Sequence, residues 1–433
     1  MGPFYPLVRT RVKKSARASS DMGIFDVTAI LVTVAAVFSF VNHQLIKLPA
    51  AIGLMLIALV MSLGLIVLTM IGFPGLEQAV ERFVQRIDFS ETLMHGMLSF
   101  LLFAGALHIN LSDLAKQKWV IAILATFGTI LSTFVVGVLF WLLASALELP
   151  VPFLYCLLFG ALISPTDPIA VLSILKSAGA PKSLEMKVTG ESLFNDGVGV
   201  VIFVILLKLA TGSEEPSAGQ VLLLFAEEAI GGAVFGLLLG SVAYLMLRRV
   251  DNYSVEVLTT LALVMGGYSL ALAIHTSGPI AMVVAGLIIG NHGRQHAMSE
   301  QTRAHIDSFW ELVDEIMNAV LFVLIGLEVV VLAYTGSIAV AAMLSIPMVL
   351  LARFVCVGVP IRLLALGRQF SQGTVTILTW GGLRGGISVA LALSIPFGAE
   401  RDVILPVTYG VVIFSILVQG LTLRRVIERS IGR

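Results

Sequence analysis

Charged residues and cysteines are scarce in this sequence. Of its 433 residues only 12% are Asp, Glu, Lys or Arg, whereas 58% are hydrophobic, and the mean hydropathy is +1.00 per residue. A water-soluble protein of this size does not need so high a hydrophobic fraction with so few charged residues. The two cysteines, Cys156 and Cys356, lie in apolar runs without metal-ligand spacing, so we interpret them as buried hydrophobic side chains. The composition therefore predicts a protein embedded in a bilayer.

Long polar segments are also absent from the interior of the chain, which leaves no room for a soluble enzyme domain. The sequence has no HExxH metal motif, no GxSxG nucleophile elbow and no glycine-rich phosphate loop followed by Lys. We therefore interpret the chain as a non-enzyme, and nothing in it predicts a cofactor or a nucleic-acid partner. Any chemistry is expected inside the membrane.

Apolar runs divide the sequence into about thirteen candidate membrane-spanning helices. A helix needs about 20 apolar residues to cross the ~30 Å hydrocarbon layer. The predicted spans are 22–41, 48–71, 90–110, 120–146, 152–175, 188–210, 219–247, 255–275, 279–291, 306–330, 337–361, 374–396 and 403–423. The sequence thus predicts an all-α polytopic membrane protein.

The distribution of positive charge predicts the orientation of these spans. With thirteen spans the termini lie on opposite sides, and most Lys and Arg residues, such as Lys176 and Arg248, fall on the side of the C-terminus. Positive residues collect on the cytoplasmic side, so we expect a cytoplasmic C-terminus and an inner-membrane location. The basic residues 1–21 contradict this topology, and one hypothesis is that translation begins at Met22.

Span five has a carboxylate where the membrane tolerates few of them. Asp167 lies near its middle, between Pro165 and Pro168. Proline lacks a backbone donor and disfavours helix at the preceding residue, so we expect the span to break at Thr166 and Asp167. Carbonyls and a carboxylate would then meet within the membrane, as in transporters that hold cations. A simple proline kink with a paired aspartate is the alternative.

Span six contains two polar pairs with helical spacing. Glu191 stacks on Asn195 and Ser192 stacks on Asp196, because residues four apart share a helix face. The three acids of spans five and six outnumber the clearly intramembrane bases, Arg353 and Arg384. One carboxylate must therefore be protonated or bind a cation, which is what antiport requires.

The two arginines have different predicted surroundings. Arg353 lies alone in the apolar run of span eleven, and a buried guanidinium requires a carboxylate. We expect Glu191 to be its partner, with Asn195 bridging toward Asp196. Arg384 lies in span twelve within GGLRGG, whose four glycines predict an unwound or closely approached helix. Tight helix packing is the alternative interpretation of these glycines.

Spans five and twelve are the two that are expected to be broken. Thirteen spans divide into six, a linker and six, which places these two in corresponding positions of inverted halves. Inverted repeats with broken helices crossing at the midplane are a transporter architecture. The symmetry is inferred from span counting, because the two halves are not visibly similar in sequence.

Six motifs stand out along the chain. They are SPTDPIAV at 164–171, GESLFNDGVGVV at 190–201, SGPIAMVVAGLIIGN at 277–291, FWELVDEIMNAVLFVLIGLE at 309–328, GGLRGG at 381–386 and FSILVQGLT at 414–422. Together they resemble the NhaP-type sodium/proton antiporters of the monovalent cation:proton antiporter-1 family, from about residue 25 to 424. The Asn195-Asp196 pair resembles the electroneutral exchangers of that family.

The resemblance implies roles for matching residues. Asp196 would bind a monovalent cation and a proton in turn, and Asp167, the Ser192 hydroxyl and the Thr166 carbonyl would complete the ion's shell. The pair of Glu191 and Arg353 would fix the core together with Asn195, and Arg384 would support it. Ala104 departs from the family, in which many relatives have an acidic residue at this position, so a third acidic ligand from span three is not expected.

The resemblance also implies a division into domains and a homodimer. A core bundle would rock against a dimerisation domain to give alternating access. The segments are 1–21, a basic N-terminal extension; 22–111, dimerisation-domain spans 1–3; 112–211, core spans 4–6; 212–250, linker span 7; 251–333, dimerisation-domain spans 8–10; 334–424, core spans 11–13; and 425–433, a short cytoplasmic tail.

The expected activity is electroneutral exchange of Na⁺, or of Li⁺ or K⁺, for H⁺ in pH and sodium homeostasis. Asp314 and Glu315 are interpreted as charges of a cytoplasmic funnel. A potassium-preferring exchanger with the same residues is the main alternative, and a channel or membrane sensor without proton coupling is another.

Overall fold

Helices make up nearly all of the structure. The computed structural model describes residues 24–71, 75, 96–212, 218–330, 332, 335–367 and 370–430, and within these ranges no β-strand occurs. The α-helices are α1 Ile24–Val41, α2 Ala50–Met70, α3 Leu98–Leu107, α4 Leu111–Ala122, α5 Thr129–Ala146, α6 Phe153–Ile163, α7 Ile169–Ser177, α8 Lys182–Thr211, α9 Ala218–Leu247, α10 Tyr253–Ala273, α11 Gly278–Ile288, α12 Arg294–His296, α13 Glu300–Glu328, α14 Gly336–Leu364, α15 Thr374–Trp380, α16 Gly386–Leu393, α17 Ala399–Phe414 and α18 Gly420–Ser430. The predicted all-α architecture is confirmed.

Short π-helical turns extend or join several of these helices. They lie at Asn42–Ile46, Ile123–Gly128, Ile289–Gly293 and Ser415–Gln419. The second turn joins α4 to α5, and the last joins α17 to α18, so each pair forms one long helical rod. Such π-turns inside helices are rare and often lie at functional sites.

Every predicted span overlaps a helix over the residues that the structure describes. Eight helical rods within these ranges are long and apolar enough to cross a membrane, and three shorter apolar helices accompany them. The count of thirteen crossings stays a prediction. The N-terminal extension 1–21 and residues 90–95 of the third predicted span lie outside the described residues.

Several helices begin well before the apolar run that predicted them. The rod of α4 starts at Leu111 rather than at residue 120, because the Asn110 side chain accepts hydrogen bonds from the backbone N–H groups of Ser112 and Asp113. This N-cap satisfies donors that the first turn leaves unpaired. Ser299 caps α13 in the same way through Thr302. A search for apolar runs does not detect polar helix ends of this kind.

Two helical rods are interrupted, and both interruptions were predicted. Between α6 and α7, the helix is interrupted over residues 164–168, as the flanking prolines indicate. Between α15 and α16, residues 382–385 of the GGLRGG segment are not helical. The two interrupted rods place four helix ends inside the protein.

The helices pack in two groups. In the first, α5 packs on α6, α8 on α4 and α6, and α14 on α5 and α17. In the second, α9 packs on α11, α3 on α11, and α13 on α1 and α2. Contacts between the groups include those of α8 with α11 and of α13 with α16. The site described below lies where these two groups meet.

The closest helix contact of the first group depends on a glycine. A Cβ built on Gly160 of α6 would overlap the Thr133 carbonyl of α5 and lie 3.0 Å from the backbone nitrogen of Gly137. Backbone atoms cannot move aside as a flexible side chain does, so α5 and α6 approach this closely only because residue 160 has no side chain.

We expect Gly160→Ala to destabilise the protein by about 1–3 kcal/mol, because overpacking forces the two backbones apart. The measurement is thermal unfolding of the purified protein in detergent. Gly266→Ala is the matched control, since a Cβ at this exposed position of α10 meets no atom within 4 Å. Equal unfolding temperatures for the two variants would contradict the close α5–α6 contact.

Candidate functional site

The two helix interruptions meet each other. The backbone N–H of Asp167 in the first donates to the Leu383 carbonyl in the second, at 2.7 Å. In return, Arg384 Nη1 donates to the carbonyls of Ser164, at 2.6 Å, and Pro165, at 2.9 Å. Each interruption thus supplies partners for backbone groups that the other leaves without an intrahelical bond.

The described hydrogen bonds of the Arg384 side chain go to backbone carbonyls at the end of a helix and not to a carboxylate. The side chain is buried, and its described hydrogen bonds go to the carbonyls of Ser164 and Pro165, which directly follow the last residue of α6. A cation is favoured at a helix C-terminus, where the carbonyls are unpaired and the helix dipole is negative. The predicted supporting role of Arg384 therefore takes the form of a helix cap.

Asp167 lies in the first interruption and caps the helix that follows. Its Oδ1 accepts a hydrogen bond from the backbone N–H of Ile169, at 2.9 Å. On its other side, a Cβ built on Gly385 would overlap the Asp167 carboxylate. A residue larger than glycine therefore does not fit at position 385.

Thr166, Ser192 and Asn195 form a polar network between the interruption and α8. The Thr166 hydroxyl lies 3.2 Å from the Ser192 hydroxyl, which also donates to the Thr166 carbonyl. Asn195 Nδ2 donates to Thr166 Oγ1 at 2.9 Å, and Asn195 Oδ1 accepts from the Thr166 N–H at 3.3 Å. The network holds the Thr166 carbonyl and the Ser192 hydroxyl, both predicted ion ligands, side by side.

The prediction that the Asn195 side chain bridges toward Asp196 is wrong, because this side chain bonds Thr166 instead. The described hydrogen bonds of the Asn195 amide all go to Thr166. The reason is that residue 195 is only one position from Asp196 on α8, so the two side chains point about 100° apart around the helix. Asn195 thus fixes the interruption, and Asp196 is left to face the cavity.

Asp196 and Asp167 share the wall of a large cavity. Its volume is about 1300 Å³, and both carboxylates line it together with Thr166 and Pro165. Asp196 is only 6% exposed, and it lines the same cavity as Asp167. Two neighbouring carboxylates repel each other, so this place favours a bound cation or proton.

Glu191 and Arg353 form the predicted ion pair. Arg353 Nη1 lies 2.5 Å from Glu191 Oε1, and both side chains are buried. Arg353 Nε and Nη2 also donate to the Leu378 carbonyl, at 3.3 and 3.2 Å. The pair therefore connects α8 with α14, and the guanidinium further holds the end of α15 before the second interruption.

Sequence reasoning missed the residues that support the second interruption from α17 onward. Ser415 Oγ accepts from the backbone N–H of Arg384 at 2.8 Å, and Gln419 Nε2 donates to the Trp380 carbonyl at 2.9 Å. Both lie in the π-helical turn Ser415–Gln419 within the motif FSILVQGLT. The motif itself was the available signal, because two polar residues inside an apolar run indicate buried partners.

The helix α13 supplies the opposite wall of the cavity. Asp314 and Glu315, predicted funnel charges, both line it, as does Glu311 one turn earlier. Lysines line it as well, among them Lys47 and Lys176. Ala104 is fully buried in α3 and brings no oxygen to the site.

Two interrupted helices that meet beside carboxylates, in a protein made of apolar helices, define a secondary transporter. Residues 29–429 match the family described as sodium/hydrogen exchanger, transmembrane. The chain belongs to this family.

Named relatives agree with this assignment. The chain is 52% identical over 410 residues to the Na⁺/H⁺ antiporter NhaP of Pseudomonas aeruginosa, which covers 94% of this chain and 97% of the relative. It is 39% identical over 394 residues to the Na⁺/H⁺ antiporter NhaH of Halobacillus dabanensis, which covers 89% and 93% of the two chains. The NhaP-type resemblance is thereby confirmed.

The fold is also that of a solved structure. The sodium proton antiporter MjNhaP1 of Methanocaldococcus jannaschii at pH 8 superimposes with a TM-score of 0.74, over 95% of this chain and 100% of that chain. The two sequences are 19% identical, so this likeness concerns the fold alone.

Replacing Glu191 by Gln should cost about 3–5 kcal/mol of stability, because the change leaves the Arg353 guanidinium buried without its counter-charge. Thermal unfolding in detergent measures this loss. The double variant Glu191→Met/Arg353→Met should recover much of it, since it removes both charges together.

The matched control is Glu428→Gln, which removes a carboxylate from the exposed pair with Arg424, at 2.8 Å. An exposed pair of this kind contributes about 0–1 kcal/mol. If both single variants unfolded at the same temperature, the buried pair would not stabilise the core.

Proposed function

We propose that the protein is an electroneutral sodium/proton antiporter in which Asp196 binds Na⁺ and H⁺ alternately. One observation carries the proposal. Asp196 and Asp167 share a cavity wall, while the nearby arginines are engaged elsewhere: Arg353 with Glu191, and Arg384 with backbone carbonyls. Neither arginine replaces the cation that the two aspartates require.

The oxygen atoms at the site suit a hard monovalent cation. Carboxylates of Asp196 and Asp167, the Ser192 hydroxyl and the Thr166 carbonyl are the proposed ligands, and oxygen ligands are those that such cations prefer. The Ser192 and Thr166 oxygens are already held together by hydrogen bonds. Relatives that cover nearly the whole chain are named Na⁺/H⁺ antiporters, which supports sodium as the transported cation.

Competition for one carboxylate couples the two ions. A proton or a cation neutralises Asp196, and a neutralised site crosses the apolar barrier at far lower cost than a charged one. Because the ions exclude each other, one enters as the other leaves. Exchange of one Na⁺ for one H⁺ moves no net charge.

The moving part is proposed to be the first group of helices. It contains both interruptions, and the Glu191–Arg353 pair connects α8 with α14. The second group, with α1 to α3 and α10 to α13, would form the stationary dimerisation domain of a homodimer. Rocking between the two groups would expose the cavity to each side in turn.

The membrane orientation completes the proposal. The protein would lie in the inner membrane with its C-terminus in the cytoplasm, since most Lys and Arg residues fall on that side. The charges on the opposite face would then include Lys208 in the last turn of α8 and Arg401 in the first turn of α17.

Asp196→Asn should abolish cation-driven proton movement, because an amide neither ionises nor releases a proton. The assay is Na⁺-induced collapse of a proton gradient in inverted vesicles from an antiporter-deficient host. Parallel additions of Li⁺ and K⁺ give the ion preference.

Asp402→Asn is the control for that experiment, since it removes an exposed carboxylate from the first turn of α17. We expect exchange close to that of the wild type. A silent wild-type protein at every pH would instead favour a channel or sensor.

Turnover in proteoliposomes should not change with membrane potential, because one-for-one exchange carries no net charge. The measurement is Na⁺-driven proton flux at clamped potentials between 0 and about −100 mV, over which one uncompensated charge gains ~2.3 kcal/mol. A flux that grows steadily with potential would contradict electroneutral exchange.

A further inference from the structure

The wall of the cavity opposite Asp167 has a polar stripe. Glu311, Asp314, Glu315 and Asn318 all line the cavity from α13. Their spacing of three, four and seven residues places them on one helix face. The proposed ligands of the transported ion use none of these four residues.

Asn318 lies one helical turn before a contact of α13 with the start of α16. Leu321, one turn beyond Asn318, packs so tightly on α16 that a Cβ at Gly386 would overlap its side chain. The preceding residue, Gly385, abuts the Asp167 carboxylate. Asn318 and Asp314 therefore lie about one and two helical turns before Leu321. The glycine that Leu321 contacts is the neighbour of the glycine that contacts Asp167.

Asp314 shares the cavity with the carboxylates of Asp167, Glu311 and Glu315, and lysines, among them Lys47 and Lys176, line it as well. Four carboxylates in one cavity raise its local attraction for a cation. A proton or a bound cation relieves the repulsion between like charges in a confined site.

Asn318 adds an oxygen that has no partner. The side chain is 7% exposed, and its Nδ2 donates to the Asp314 carbonyl at 2.8 Å. Its Oδ1 is buried and accepts no hydrogen bond from the residues that the structure describes. A buried carbonyl oxygen without a partner costs free energy, and a cation beside it would recover that cost.

We propose that Asp314 and Asn318 form a second cation site, at which a monovalent cation is held before it passes to Asp167 and Asp196. The inference rests on the proposed exchange activity. A carboxylate and an amide oxygen are hard ligands suited to Na⁺. The site lies on α13, in the group of helices proposed to remain stationary, whereas Asp167 and Asp196 lie in the moving group.

This placement explains what a second site contributes. A cation at Asp314 shields that carboxylate from Asp167 and lies within the same cavity as both aspartates. It therefore raises the cation concentration next to the moving site whenever the cavity is open. Loss of the second site should affect the Na⁺ concentration that transport requires and leave the maximal rate nearly unchanged.

The first test is the Na⁺ dependence of exchange in proteoliposomes of the full chain. We expect Asp314→Asn and Asn318→Leu each to raise the KM for Na⁺ by about tenfold, equivalent to ~1.4 kcal/mol, with kcat within about twofold. Asn318→Asp keeps an oxygen at the position and should keep or lower the KM. A rise in KM with this variant as well would assign Asn318 a packing role and overturn the proposal.

Glu311→Gln is the matched control, because it removes a carboxylate from the same stripe without removing a proposed ligand. Glu311 should act only by long-range electrostatic attraction of Na⁺ into the cavity, and salt screens such attraction beyond about 10 Å at 0.1 M. Added choline chloride should therefore abolish the effect of Glu311→Gln and leave that of Asp314→Asn. Equal salt sensitivity of the two variants would reduce Asp314 to a steering charge.

Direct binding provides a second measurement. Purified Asp167→Asn/Asp196→Asn lacks the proposed transport site, and we expect it to retain weak ²²Na⁺ binding that a further Asp314→Asn change removes. No binding to the double variant would overturn the second site. If the wild type itself exchanged no ions, the proposed function would fail, whereas wild-type exchange with an unaltered Asp314→Asn would refute the second site alone.

Discussion

Backbone groups freed inside an apolar protein must find partners, and this constraint governs the centre of the molecule. Two helical rods stop within the protein, and each leaves N–H and C=O groups that water does not reach. The structure satisfies them reciprocally: Asp167 donates to Leu383, and Arg384 donates to Ser164 and Pro165. Each interruption supplies hydrogen-bond partners to the other, so the site requires both halves of the chain.

The reciprocal hydrogen bonds between the interruptions also determine which charged side chains near the cavity are available to pair with Asp196. Arg384 donates to backbone carbonyls and Arg353 to Glu191, so neither of these two arginines is available to pair with Asp196. In the proposed mechanism, a cation or proton that enters the cavity balances the negative charge of Asp196. The proposed mechanism thus separates the fixed ion pair of Glu191 and Arg353 from the exchangeable site at Asp196, although Glu191 and Asp196 are only a few residues apart on α8.

Much of this arrangement was predictable from local chemistry. Pro165 and Pro168 predicted the first interruption, and the glycines around Arg384 predicted the second. A lone buried Arg353 required a carboxylate, which pointed to Glu191. The direction of the Asn195 amide was not predictable, because it depends on where the first interruption lies relative to α8. Ser415 and Gln419 were missed for the same reason, since their partners are backbone atoms far away in sequence.

The absence of a side chain at Gly385 restricts how the site can evolve. Because the Asp167 carboxylate fills the space that a Cβ would need, the acid at position 167 has no room to lengthen toward the second interruption, and residue 385 has no room to grow. Residues 167 and 385, which are distant in sequence but in contact, therefore limit each other's size. In the proposed mechanism, variation in ion preference would therefore arise at less confined positions, such as those of α8 and α13 that line the cavity.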